Sequence, residues 1–177
     1  MAVISGIWSM LCKPSNTNSG EFMSVDKAYN FRQATESIST SGILSEQQLE
    51  LLSEEGYSAV INLLPEESEY AVRREKDIIE AQGLAYHYIP VDFAAPSVTD
   101  YQAFAKALAD LSGRKLLLHC AANYRVSAFY AINAFLNNEV SKAQAYEFIA
   151  AVWNLDEYPV WQEFVSAMLN GDNISIR

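Results

Sequence analysis

Residues 119–127 read HCAANYRVS, and the side chains in that run have the chemistry for displacement at phosphorus. A cysteine thiolate is a strong nucleophile, but free cysteine ionises near pH ~8.5, so a thiol acting at neutral pH needs a cation or a helix N-terminus beside it. Arg125 offers a planar fork that matches two phosphoryl oxygens and stabilises the charge that builds in the transition state. Ala121 and Ala122 are small enough for the backbone to curl around an oxyanion. Asn123 is one of the few non-glycine types that tolerate a left-handed turn in such a curl. With Tyr124 and Val126 these residues make up the expected phosphate-binding segment, Tyr124 either lining the pocket mouth or packing locally. Ser127 is expected to donate to the Cys120 sulfur and ease its departure, and His119 to orient the loop by hydrogen bonds.

Such a loop works only between a strand and a helix. Residues 115–119 form a short apolar run with a buried-strand pattern, and residues from about 126 to 136 are helix-forming. The loop therefore leaves the carboxyl end of a strand and opens a helix, where anions gather in open α/β sheets.

The rest of the chain supplies the sheet. A short strand is expected at 36–39, and Ser45 with Gln48 forms a capping box for a helix running to about 55, closed by Gly56. The β-branched run 58–64 reads as a strand buried on both faces and stopped by Pro65. A charged helix is expected over about 68–82, with Val72, Ile78 and Ile79 on its apolar side. Arg73, Arg74 and Lys76, interspersed with Glu75 and Asp77, make a solvated face. A strand at 85–91 and a helix capped at Ser97 and stopped by Gly113 follow, and helices at 141–154 and 159–169 close the chain. The order predicts an α/β fold, a central mostly parallel sheet flanked by helices, in a single domain over 24–177. A flexible arm is expected over 1–23, a stretch rich in Ser, Asn, Gly and Pro.

Composition narrows the function further. Half of the 177 residues are hydrophobic, enough for a core without disulfides or metal. The cysteines are Cys12 and Cys120 and the histidines are His87 and His119, which matches no metal-ligand spacing, so no metal or cofactor is expected. The net charge of −10 opposes binding to nucleic acid or anionic membrane. The apolar run at 2–12 is interrupted by serine and glycine, lacks a basic lead-in, and is too short to span a bilayer. A cytoplasmic protein is expected, with export of the N-terminal segment left open.

The stretch LLLHCAANYRVSAF resembles the signature loop of the protein tyrosine and dual-specificity phosphatase superfamily, whose pattern is His, Cys, five residues, Arg, then Ser or Thr. Upstream, SGILSEQQLELLSEEGYSAVINLLPEESE and YHYIPVDFAAPS resemble the small bacterial branch of that superfamily, related to phosphatase-like domains found beside β-lactamase-like hydrolases. The resemblance covers about 37–169. It implies a cysteine-phosphatase-like fold and metal-independent hydrolysis through a cysteinyl phosphate. It also implies a phosphorylated substrate, a phosphotyrosine protein first, and an aspartate on a loop after an earlier strand that serves as acid and then base. Asp92 in IPVDFAAPS lies on such a loop, 28 residues ahead of Cys120. Asp100 is the alternative, though its place three residues after Ser97 suits helix capping better.

The loop departs from the family pattern at one position. Four residues, Ala121 to Tyr124, separate the cysteine from the arginine, while Ser127 keeps the family's Ser/Thr position and Val126 takes the arginine's. One residue on a helix is a rotation of about 100°. Either the loop is tightened and active, which the retained nucleophile, arginine, hydroxyl and small residues favour, or the chain is a phosphate-binding module without turnover. A rhodanese-like sulfurtransferase is the third reading; it needs neither Asp92 nor Ser127.

Overall fold

The computed structural model describes residues 24–171. A 3-10 turn at Val25–Lys27 precedes β1 (Arg32–Gln33) and β2 (Ile38–Ser41). Then α1 (Glu46–Glu50) leads to β3 (Ala59–Asn62), α2 (Glu75–Ala81) to β4 (Ala85–Tyr88), and α3 (Val98–Asp110) to β5 (Leu116–His119). Three helices follow, α4 (Tyr124–Leu136), α5 (Lys142–Ala150) and α6 (Pro159–Asn170). The strands lie in the order β1-β2-β5-β3-β4, and only β1 runs antiparallel to its neighbour. The mostly parallel sheet expected from the sequence is therefore present.

Side-chain alternation along the central strands sorts the helices onto two faces. Val60 and Leu117 point into a cluster with Leu49 and Leu52 around α1 and Ile79 of α2. Ala59, Ile61, Leu116 and Leu118 point the other way, into a larger cluster with Phe104 of α3, Phe129 of α4 and Trp161 of α6. Full burial of a side chain such as Phe129 contributes roughly 2–3 kcal/mol, and here it fixes the helix that carries the candidate arginine. Crossovers on opposite faces meet at β5, which places the crevice outside its carboxyl end.

Several expected boundaries move. The helix expected from 68 begins only at Glu75. Pro65 and Ser68 hold the preceding segment in turns, with Ser68 N donating to Pro65 O, Ala71 N to Ser68 O, and Tyr70 N to the Ser68 hydroxyl. The helix expected near Val126 opens at Tyr124, because Asn123 takes the left-handed conformation that starts it. The second strand lies at Ile38–Ser41 rather than 36–39, and the first helix ends at Glu50 before a series of turns to Gly56. The two-residue β1 was not expected. The arm at 1–23 lies outside the described residues. No helix among the described residues is long and apolar enough to cross a membrane.

Candidate functional site

Cys120 is the first residue beyond β5 and is fully buried. Its amide donates to Ser41 O at 3.3 Å, at the end of β2. Beyond it the chain turns away from the sheet. Ala121 O accepts from Ile43 N at 3.0 Å, and Ala122 O from the Asn30 side-chain amide at 3.1 Å. In a planar trans peptide the N–H that follows points opposite to the carbonyl. Pinning the Ala121 carbonyl outward therefore turns the Ala122 amide inward, while the bridge between Gly42 and Ala122 directs the Asn123 amide toward Ser41 O. Tyr124, Arg125 and Val126 then supply helix-opening amides that have no partner within the helix. Among the described residues, the amides of Ala121, Ala122, Tyr124, Arg125 and Val126 donate to no protein acceptor. The result is a concave row of donors at a helix N-terminus, suited to an oxyanion.

Asn123 holds this curl. Its φ of 66° and ψ of 3° are left-handed. Its buried side chain donates to Asn30 O at 2.7 Å and Thr40 Oγ1 at 3.0 Å, so Asn30 and the loop clasp each other in both directions. Gly42 forms a bridge to Ala122 and lies so close that a Cβ there would meet Ala121 O at 2.7 Å.

Arg125 stands in the first turn of α4, half-buried. Its guanidinium carbon lies 5.1 Å from the centroid of the Phe93 ring, and its Nε is buried with no hydrogen-bond partner among the described residues. Val126, at the family's arginine position, is fully buried in the larger core cluster, so only its amide faces the loop's concave side. Tyr124 stacks on Trp153 at 4.5 Å between centroids and 6° between planes, with Tyr158 at its edge. Tyr124 thus packs locally, and its half-exposed ring also flanks the loop.

Two expected hydrogen bonds go elsewhere. The Ser127 hydroxyl donates to Tyr124 O at 3.1 Å and accepts from the Trp153 indole at 3.1 Å, so its proton is not directed at the Cys120 sulfur. The bulky indole behind α4 captures the hydroxyl. His119 does not reach the loop with its ring. Nε2 lies 2.6 Å from Glu75 Oε1, and Nδ1 is buried without a partner among the described residues. Glu75, expected on a solvated face, is buried instead. Asn62 donates to both its oxygens at 3.1 Å and also to the Tyr86 hydroxyl at 3.0 Å. Burial first, and the Glu75 charge second, push the Tyr86 phenol well above its ordinary range. A cavity of about 160 Å³ lined by Asn62, Glu75 and Tyr86 opens behind this network.

Asp92 is exposed on the loop after β4. Its Oδ1 accepts from Ala94 N at 2.8 Å, which leaves Oδ2 without a protein partner among the described residues. Phe93 O accepts from the Trp161 indole at 2.8 Å, tying this loop to α6. Asp100 is occupied as expected of a cap: its amide donates to Ser97 Oγ at 3.1 Å and its Oδ2 accepts from that hydroxyl at 2.7 Å. Asp92 is therefore the carboxylate on the loop that meets the arginine, with Phe93 as the bridge.

Four site residues escaped the sequence reading. Glu75 stands on one face of α2 with Ile79, four residues on, a signal that was available in the sequence. Asn30, Gly42 and Phe93 act through contacts across the fold that no local pattern marks.

No family model matches the chain. A solved structure of a DUF442 protein assigned as a phosphatase, from Shewanella putrefaciens CN-32, superposes with a TM-score of 0.75 at 33% identity, covering 81% of this chain and 91% of that one. TpbA of P. aeruginosa, solved in complex with pTyr, shares the fold with a TM-score of 0.62 at 13% identity, over 80% of this chain and 89% of that one. A β-lactamase hydrolase-like protein of Xylella fastidiosa is 30% identical over 90 residues, 49% of this chain, which spans only 21% of that relative's length.

Proposed function

The chain belongs to the DUF442 family of the cysteine-phosphatase superfamily, and from that premise we propose that it hydrolyses phosphomonoesters through a cysteinyl-phosphate intermediate without a metal ion. The observation that carries the proposal is the set of free amides at Ala121, Ala122 and residues 124–126, beside an Arg125 Nε without a hydrogen-bond partner among the described residues, in the loop and first helical turn that follow Cys120. A buried donor left without an acceptor costs about 1–3 kcal/mol, a cost that a bound oxyanion removes.

In the first step the Cys120 thiolate attacks phosphorus, the ester oxygen leaves, and Asp92 gives that oxygen its proton. Amides and Arg125 take up the charge of the equatorial oxygens. In the second step water attacks the phosphocysteine, Asp92 accepts the water proton, and the thiolate departs with release of inorganic phosphate. Helix α4 directs the partial positive charge of its N-terminus toward the phosphoryl group held by the loop.

Aryl phosphates, phosphotyrosine in proteins first, are the proposed substrates. The rings of Phe93, Tyr124 and Tyr158 lie against one another beside the loop, and Tyr29 is 55% exposed near them, a rim suited to an aromatic leaving group. Nucleic acid and membrane lipid are disfavoured by the charge of −10. Hydrolysis of p-nitrophenyl phosphate with chelator present tests the reading: Cys120→Ser should reduce it to background, and equal rates for parent and variant would overturn it. One observation favours a second reading, a phosphate-binding module. The Ser127 hydroxyl is committed to Tyr124 and Trp153, so the second step lacks that help. Tungstate binding without turnover would select this alternative.

A further inference from the structure

Resting on the phosphate-binding reading of this loop, we infer that Phe93 is the positioning residue that makes the displaced arginine usable. Arg125 has no carboxylate within salt-bridge distance among the described residues, and none of its nitrogens donates to a protein acceptor there. A long side chain without such a partner samples many rotamers, and holding it in one costs entropy. Among the described residues, the contact available to orient this guanidinium is the Phe93 ring, at 5.1 Å. Contact with the ring engages none of the guanidinium's N–H groups in a hydrogen bond to protein, so the fork keeps its donors for the oxygens of an anion.

Phe93 itself is well anchored. Its carbonyl is held by the Trp161 indole, and its ring packs edge-on to Tyr158 at 5.4 Å and near Trp161 at 5.6 Å. The platform is therefore stiff and belongs to the Asp92 loop. Acid and anion ligand become one mechanical unit, and an arginine one residue early is served from the side of the acid loop.

The test is tungstate affinity by calorimetry in a double-mutant cycle. Phe93→Leu should weaken tungstate binding about five- to tenfold in the parent and have no further effect in an Arg125→Ala background. Pentafluorophenylalanine at position 93 keeps the ring's size but removes its negative face, and should weaken binding like leucine with the circular dichroism spectrum unchanged. Phe93→Tyr should bind like the parent. Equal weakening by Phe93→Leu with and without Arg125, or a fluorinated ring that binds like the parent, would overturn the inference. A parent that binds tungstate and shows the coupling, yet turns over no ester, supports Phe93 while removing the catalytic reading; a parent that binds no tungstate removes both.

Discussion

His119 Nε2 lies 2.6 Å from Glu75 Oε1, and only 3% and 5% of the two side chains are exposed. The residue preceding the candidate nucleophile is thus held from behind by a carboxylate at the start of α2, and Asn62 completes that carboxylate's hydrogen bonding. Removing one member of such a buried pair strands the other. Glu75→Ala leaves the buried Asn62 amide and the His119 ring without their acceptor and should destabilise the fold by about 1–3 kcal/mol in urea denaturation. A loss below about 1 kcal/mol would show that the pair contributes little.

Tyr86 gives the same network a pH signature. Its folded proton affinity is raised above the ordinary tyrosine value of 10.0, by burial first and by Glu75 next. The folded chain therefore binds this proton more tightly than the unfolded chain. The associated stability is complete below the unfolded value and is lost as pH rises from there through the higher folded value. An ultraviolet phenolate titration, differenced against Tyr86→Phe, should show Tyr86 ionising at lower pH in Glu75→Gln than in the parent. No change on removing the charge would contradict the assigned cause.

Gly42 is required by space. A Cβ there would lie 2.7 Å from Ala121 O and 2.9 Å from both Tyr29 O and Tyr29 Cδ1, two of them backbone atoms that cannot swing aside. Gly42→Ala must push the loop off the end of β2. A shift near 1 Å is enough for roughly a 100-fold loss in kcat/KM on p-nitrophenyl phosphate. Activity within threefold of the parent would show that the loop tolerates the displacement.

Asn123 combines a left-handed backbone with two side-chain hydrogen bonds, to Asn30 O and Thr40 Oγ1. Asn123→Gly keeps the conformation and loses the bonds; Asn123→Ala loses both. The alanine variant should be the less stable by about 1–2 kcal/mol, the cost of a left-handed residue with a Cβ. Urea denaturation of the two variants decides it, and equal stabilities would mean that the left-handed turn has relaxed in the alanine variant.

The strand-loop-helix around Cys120 was legible because each part carries a local signal. Leu116 to Leu118 are buried on both faces, Ser97 and Ser45 cap as their spacing indicates, and Asn123 is the residue type its left-handed φ demands. What was not legible depends on partners distant in sequence. Ser127 has the family's position, but Trp153, 26 residues on, captures its hydroxyl. Glu75 read as solvated because its neighbours are charged; its spacing from Ile79 pointed to burial, but its partner His119 lies 44 residues on. The displaced arginine could be counted from the sequence, whereas the Phe93 face that receives it could not.

Covalent chemistry at Cys120 is most directly tested by trapping. A phosphorus-labelled aryl phosphate, mixed rapidly with the protein and quenched in acid, should leave label on the peptide containing Cys120. Cys120→Ser should carry none and release no phosphate above background. Turnover with no label at Cys120, or label on another residue that persists in Cys120→Ser, would contradict the cysteinyl-phosphate mechanism.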